Sequence, residues 1–133
     1  MPETLTITLT VRSYEMDSFG HVNNAVYLNY LEYARCEYMR QRGLGFADFH
    51  KWNTYPYVTR SEIDYKSPAQ VDNLLEINGR LVNWTRTGFT IEYDLNNLTT
   101  GRLCAQAKMS FAFVNDAGKP VRVPAPFREK MGT

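Results

Sequence analysis

The stretch Asp17-Ser18-Phe19-Gly20-His21-Val22-Asn23-Asn24 runs directly into a long segment, Ala25 to Arg42, that lacks glycine and proline. This segment predicts a helix, for which Asn23 or Asn24 would be a favourable N-cap and Gly43 a favourable stop. The start of a helix offers free backbone N–H groups and a positive dipole end, which can hold a developing negative charge. A carboxylate a few residues upstream can activate water or attack directly. The stretch therefore supplies two parts of an acyl-transfer site.

The predicted helix is apolar on more than one side. Its apolar residues are Val26, Tyr27, Leu28, Tyr30, Leu31, Tyr33, Ala34, Tyr38 and Met39. A helix that is hydrophobic around most of its circumference must be wrapped by other parts of the structure. Glu32 and Arg35 are among its polar positions and could pair at i,i+3.

Strands are predicted on both sides of this helix. Leu5, Ile7, Leu9 and Val11 alternate with polar residues, which is typical of a strand with one buried face. After an expected loop from Gly43 to Thr54, turn-rich segments separate four further predicted strands. These are Tyr55 to Lys66, Leu74 to Trp84, Gly88 to Asn96 and Arg102 to Val114.

The resulting order is β-α-β-β-β-β, and short connections favour antiparallel pairing. We therefore expect an α+β fold, in which one curved antiparallel sheet wraps around one long central helix. Pro120, Pro124 and Pro126 argue against a further long strand, so a short turn near Phe127 to Lys130 is expected instead.

The length and composition of the chain limit its domain number, its partners and its location. The 133 residues, of which 44% are hydrophobic, fit a single domain spanning 1 to 133. A formal net charge of +1 includes no polybasic tract for nucleic acid or an anionic membrane. No apolar run approaches the roughly 20 residues of a membrane span, and Met1 to Thr10 lacks a signal-peptide pattern, so we expect a cytoplasmic protein. Cys36 and Cys104 lack metal-ligand spacing and are expected to be reduced thiols, with no metal site.

A sheet of this size would leave an edge strand and part of the helix uncovered. Pairing with a second copy of the chain is a common solution to both problems. We therefore expect a homodimer or a larger symmetric assembly, such as a dimer of dimers (a homotetramer).

The motif also supports a family resemblance. The chain resembles the hotdog-fold acyl-CoA thioesterases of the 4-hydroxybenzoyl-CoA thioesterase type in three segments: Arg12 to Asp17, Gly20 to Tyr27 and Glu32 to Arg35. The resemblance extends over almost the whole chain, with Val58 to Pro68 similar to the family's second strand and Asp72 to Ile77 to its third. Within that group the chain is most similar to bacterial long-chain acyl-CoA thioesterases. This resemblance implies a single hotdog domain that hydrolyses a fatty acyl-CoA, with CoA as part of the substrate and no separate cofactor.

The resemblance implies that Asp17 is the catalytic carboxylate, as nucleophile or as general base on water. Gly20 would let the backbone turn tightly, and the backbone N–H of Asn24, or of Ala25, would polarise the thioester carbonyl. His21 could orient Asp17, contact substrate, move a proton or serve a structural hydrogen bond. An alternative role for Asp17 is to cap the turn. Some relatives carry a Tyr-His pair in place of Asn23-Asn24, so a catalytic histidine there cannot be transferred.

Further candidates lie on the helix and on exposed turns. Glu32 is a weaker candidate carboxylate because another thioesterase branch uses a helix carboxylate, and Tyr27, with Tyr30 and Leu31, is expected to line an acyl pocket. Arg86 is the first candidate for the CoA phosphates, because phosphate needs charge-assisted donors. The weaker candidates are Arg60, Lys108, Arg122 and Arg128.

Three other functions fit parts of the pattern. An enoyl-CoA hydratase of the same fold would place Asp and His five apart around an Asn-Pro, whereas Asp17 and His21 are four apart without it. A non-catalytic acyl-CoA or acyl-carrier binding protein would keep the pocket without needing Asp17. A structural dimerisation module would need neither. The intact motif favours the thioesterase.

Overall fold

The computed structural model describes residues 3–132, so positions 1, 2 and 133 of the predicted domain lie outside the described residues. The five predicted strands are present as β1 (Leu5–Thr10), β2 (Tyr55–Tyr65), β3 (Leu74–Val82), β4 (Gly88–Asn97) and β5 (Arg102–Val114). The helices are α1 (Asn24–Gln41), α2 (Phe46–Trp52) and α3 (Ala125–Met131), and a single 3-10 turn, Ser13–Glu15, follows β1.

All five strands form one curved antiparallel sheet in the order β1-β3-β4-β5-β2. Alternate side chains of β3, β4 and β5 point to one buried face, on which α1 packs. Tyr38 of α1 donates a 2.7 Å hydrogen bond to the carbonyl oxygen of Ile77 in β3. The ring of Tyr38 lies so close to Gly79 that an added Cβ there would meet it at 2.5 Å. Bare backbone at position 79 thus lets the helix approach the sheet.

The prediction that Gly43 to Thr54 form a loop was wrong, because this segment contains α2. The N–H of Gly45 donates to the Asp48 carboxylate at 2.8 Å, which caps the start of this helix. Phe49, only 3% exposed, anchors the helix beside the rings of Phe113 and Phe127. The short turn expected near Phe127 is likewise a helix, α3, whose first turn contains Pro126.

Within one chain α1 is covered on one side only. Its buried face is formed by Tyr27, Tyr30, Leu31, Ala34, Tyr38 and Met39. Leu28 and Tyr33, in contrast, are 40% and 48% exposed, so the expected wrapping of the helix is incomplete. At the edge of the sheet, every residue of β2 is exposed or half-buried.

No helix within residues 3–132 is long and apolar enough to cross a membrane.

Candidate active site

The residues from Asp17 to His21 form a tight, self-bonded turn before α1. The Asp17 N–H donates to the His21 carbonyl oxygen at 2.7 Å, and Gly20 has a left-handed φ of 82°. The Oδ1 atom of Asp17 accepts hydrogen bonds from the backbone N–H groups of Phe19 (2.9 Å) and His21 (3.1 Å). The other oxygen, Oδ2, has no hydrogen-bond partner among the described residues. Asp17 therefore caps the turn with one oxygen and keeps the other available.

The start of α1 exposes one backbone N–H. Asn23 is the N-cap: its side chain accepts from the Ala25 N–H at 2.9 Å, and its carbonyl oxygen accepts from the Val26 N–H. Ala25, the alternative oxyanion donor, therefore has its N–H committed to the cap. In the part of the chain that the structure describes, the Asn24 N–H has no acceptor, so it remains available at the positive end of the helix.

Asp17 and Asn24 open onto the same cleft, which has a volume of about 560 Å³. Its lining consists of Asp17, His21, Val22, Asn24, Tyr27 and the run Tyr65-Lys66-Ser67-Pro68. Tyr65 donates a 2.9 Å hydrogen bond to the carbonyl oxygen of Asn24, and its ring meets that of Tyr27 edge-on, with centroids 5.3 Å apart. The aromatic pair forms an apolar wall beside the carboxylate and the free N–H.

Sequence reasoning missed Tyr65 and the three residues after it as site residues. The sequence predicted the end of a strand and a turn at Ser67-Pro68. It did not indicate which other part of the chain lies beside this turn. The neighbours follow from long-range bonds: the Val22 N–H donates to the Ala69 carbonyl oxygen at 2.9 Å, which brings this turn against the Asp17 motif.

Burial controls the protonation of Tyr27. Desolvation is the main cause that raises the pKa of its phenol to about 12, and the nearby charge of Asp17 acts weakly in the same direction. The hydroxyl consequently keeps its proton at neutral pH and can act as a hydrogen-bond donor in the cleft.

Glu15 is a buried carboxylate close to the site and was not singled out from the sequence. It is 7% exposed and accepts hydrogen bonds from the backbone and side chain of Arg12 and from the Tyr30 hydroxyl. Burial acts to raise its pKa, but the hydrogen bonds from Arg12 and Tyr30 outweigh burial and hold the pKa below its ordinary value. Glu15 is therefore an anion that stabilises the loop before Asp17.

The remaining candidate residues on the motif and helix have distinct positions. His21 is half-buried at the cleft, and no hydrogen bond joins its ring to any other described residue. Glu32 pairs with Arg35, as predicted, through contacts as short as 2.5 Å, and it lies outside the cleft. Tyr30 is directed to Glu15, and Leu31 is 1% exposed in the core, so neither lines the cleft.

Arg86 is not brought to Asp17 within one chain. The cleft lies beside Leu103, whose carbonyl oxygen accepts from the Ser67 hydroxyl. Arg86 precedes Thr87, whose carbonyl oxygen accepts from the Phe113 N–H. Leu103 and Phe113 lie near opposite ends of β5, roughly 30 Å apart along an extended strand.

The weaker cation candidates also have other neighbours. Arg60 pairs with Glu62, and Lys108 lies 3.7 Å from Glu92. Arg128 covers the ring of Trp84 at 4.1 Å. Arg122 is exposed in the segment before α3.

The two cysteines are free thiols, as predicted, with Cys104 buried and Cys36 half-buried. Burial raises the pKa of both, which keeps them as inert thiols. Among residues 3–132, no three His, Cys, Asp or Glu side chains lie close enough together to hold a metal ion.

Comparison with known proteins gives a consistent family. Residues 11–131 match the Thioesterase-like superfamily. The chain is 29% identical to the long-chain acyl-CoA thioesterase FadM of Escherichia coli, covering 92% of this chain and 93% of FadM. It is 25% identical to the chloroplastic acyl-acyl carrier protein thioesterase ATL3 of Arabidopsis thaliana, covering 98% of this chain and 68% of ATL3. The structure of a probable thioesterase from Bartonella henselae superposes with a TM-score of 0.84 at 28% identity, covering 92% of this chain and 100% of that one.

Proposed function

The chain belongs to the thioesterase-like superfamily and is a thioester hydrolase, and we propose that it hydrolyses a fatty acyl-CoA to the free acid and CoA. One observation carries this proposal: Asp17, whose Oδ2 is available, and Asn24, whose N–H is available, line the same cleft. The similarity to FadM supports a long acyl chain. CoA enters as part of the substrate, and the proposed chemistry uses no separate cofactor.

In the proposed reaction the thioester carbonyl oxygen accepts a hydrogen bond from the Asn24 N–H. This donor and the helix dipole stabilise the negative charge that develops on that oxygen. As a general base, Asp17 takes a proton from water while the water oxygen bonds to the carbonyl carbon. The tetrahedral intermediate then expels CoA thiolate, and Asp17 gives the proton to the thiolate.

The second route begins with direct attack by Asp17 on the carbonyl carbon. The C–S bond breaks, CoA leaves as a thiolate and the acyl group is held on Asp17 as an anhydride. Water then hydrolyses the anhydride and releases the fatty acid, and the Asp17 carboxyl gives its proton to the CoA thiolate. Both routes use the same oxyanion donor, and a thiolate is a good enough leaving group that neither needs a strong general acid.

The cleft walls suggest how substrate is held. Tyr27 and Tyr65 offer apolar faces beside the reacting atoms, and the protonated Tyr27 hydroxyl can donate a hydrogen bond. Gly20 keeps the tip of the catalytic turn free of a side chain. The His21 ring lies where it could contact substrate. The expectation of a cytoplasmic protein stays a prediction.

We also propose that a second copy of the chain pairs with β2. This strand is at the edge of the sheet, and Tyr57 and Val58 on it are 58% and 45% exposed. Antiparallel pairing of β2 with itself would bring the Tyr65 end of one copy beside the Tyr55 end of the other. Pro56 is the register partner of Phe113, so Arg86 of the second copy would then lie toward the first cleft. This geometry supports Arg86 as a CoA phosphate contact across a homodimer or dimer of dimers.

Two observations favour alternatives. The similarity to ATL3 makes an acyl-carrier protein a possible acyl donor in place of CoA. The capping bonds at Asp17 Oδ1 would also serve a non-catalytic acyl-CoA binding protein, since they need no reaction. An enoyl-CoA hydratase is less well supported, because the Asp17 motif has the thioesterase spacing.

The experiment is thiol release from short, long, branched and aromatic acyl-CoAs, and from an acyl-carrier protein substrate. We expect turnover by the wild type, and a fall in kcat of roughly 100-fold or more in Asp17→Asn. Asp94→Asn, on β4 and outside the cleft, is the matched control and should keep full turnover. Saturable acyl-CoA binding without hydrolysis of any substrate would instead establish the non-catalytic alternative.

A further inference from the structure

Glu15 lies two residues before Asp17, and its buried carboxylate contacts α1. The Oε1 atom accepts hydrogen bonds from the Tyr30 hydroxyl at 2.8 Å and from the Arg12 backbone N–H at 2.7 Å. The Oε2 atom accepts from Nε and Nη2 of Arg12 at 3.0 and 2.8 Å. Each oxygen thus has two donors, which fix the position and rotamer of the side chain.

The backbone of Glu15 makes a second link to the same helix. Its carbonyl oxygen accepts from the N–H of Asn23, the N-cap, at 3.0 Å. Glu15 is therefore bonded to the N-cap through its main chain and to the second turn of α1 through its side chain. Since Asp17 follows Glu15 closely and Asn24 follows Asn23, these two links span the interval between the carboxylate and the free N–H.

We propose that Glu15, through its hydrogen bond with Tyr30, is a positioning residue that sets the Asp17 carboxylate against the Asn24 N–H. The inference rests on the proposed function of those two groups. Glu15 touches neither substrate nor reacting atoms in this arrangement. Loss of the Tyr30 bond would remove the side-chain link from the loop to the second turn of α1. The backbone bonds of Glu15 with Asn23 and of Asp17 with His21 would remain, and the loop would be freer to shift against the helix. A displacement of about 1 Å at reacting groups can lower the rate by as much as 100-fold.

The helix itself contains a matched control. Tyr38 is as buried as Tyr30, and its hydroxyl also donates one hydrogen bond, to the Ile77 carbonyl oxygen at 2.7 Å. Tyr30→Phe and Tyr38→Phe thus each remove one buried donor from α1. Only Tyr30 is bonded to the loop that carries Asp17, so a purely structural role for Tyr30 would make the two variants equivalent.

The test compares kcat, KM and thermal unfolding for both variants. We expect Tyr30→Phe to lower kcat by about 10- to 100-fold, with KM changed less than about twofold, because the cleft walls remain in place. Tyr38→Phe should show a similar fall in Tm and keep kcat within about twofold of the wild type.

Glu15→Gln and Glu15→Ala provide a second comparison if Tyr30→Phe folds poorly. Glutamine keeps an oxygen for the Tyr30 hydroxyl, so it should recover most of the kcat that alanine loses. Equal kcat in both tyrosine variants, in an enzyme that needs Asp17, would overturn the positioning role alone. Equal kcat in folded Glu15→Gln and Glu15→Ala would do the same. A folded wild type without any turnover would overturn the proposed function, and this inference with it.

Discussion

The Tyr65 hydroxyl donates a 2.9 Å hydrogen bond to the carbonyl oxygen of Asn24, which joins the edge strand β2 to the first turn of α1. The bond closes one side of the cleft, and the Tyr27 ring packs against the same tyrosine. A residue on the edge of the sheet is thus coupled to the position of the proposed oxyanion donor. The state of that edge should therefore affect the chemistry.

Tyr65→Phe should lower kcat several-fold and cost about 1 kcal/mol of unfolding free energy or less, because the ring stays but the Asn24 bond is lost at a half-exposed site. Steady-state kinetics and urea unfolding give the two quantities. Tyr57→Phe is the control on the same strand: Tyr57 is 58% exposed, and no hydrogen bond joins its hydroxyl to another of residues 3–132. Equal kinetics in the two variants would contradict the coupling.

Gly20→Ala should destabilise the protein by about 1 to 2 kcal/mol, because residue 20 has a left-handed backbone that disfavours a Cβ. Nothing lies within 4 Å of an added Cβ there, so the effect is conformational and not a clash. Relaxation of the turn would also shift Asp17, so kcat should fall. Gly45→Ala is the control, since its φ of −158° is extended and its surroundings are equally open. Identical unfolding curves for the two variants would rule out strain at residue 20.

The lowered pKa of Glu15 predicts acid sensitivity. A carboxyl whose pKa is lower in the folded chain stabilises that chain fully above the unfolded pKa of about 4.3, and the stabilisation is lost as pH falls through the folded pKa. Wild-type stability should therefore decline below about pH 5, whereas Glu15→Gln should be less stable at neutral pH and show a shallower decline. Urea unfolding at a series of pH values measures both slopes. Parallel curves would exclude Glu15 as a source of the pH dependence.

Val58→Glu should separate the proposed subunits, since it places a charge on the exposed edge strand. Light scattering after size exclusion should then show a smaller species, with lower thioesterase activity because the second copy no longer completes the cleft. Leu98→Glu is the control. Leu98 is 48% exposed, against 45% for Val58, but it lies in the turn after β4 and not on the edge strand. Retention of the wild-type mass by Val58→Glu would place the subunit contact elsewhere.

Local patterns were sufficient to predict the strands and the long helix. Threonine alternation marked β1, and an asparagine at the helix start marked the cap that Asn23 provides. The short helix α2 was missed because seven residues contain too little periodicity, and its stability depends on distant aromatic rings around Phe49. Glu15 and Tyr65 were missed for a related reason. Their roles come from partners far along the chain, Tyr30 and Asn24, which only the folded sheet brings near.

Gly79 has no side chain, and the space that this leaves on β3 fixes where α1 lies along the sheet. The Tyr38 ring fills this space, so a side chain at position 79 would push the ring, and α1 with it, away from β3. Asn24 lies about 21 Å from Tyr38 along the same rigid helix. Gly79→Ala should therefore displace the ring and lower turnover from that distance, whereas Tyr38→Phe keeps the ring in place. Tyr38→Leu added to Gly79→Ala should partly restore turnover by making room. The position of the reacting groups thus depends on a packing contact that lies about four helical turns away.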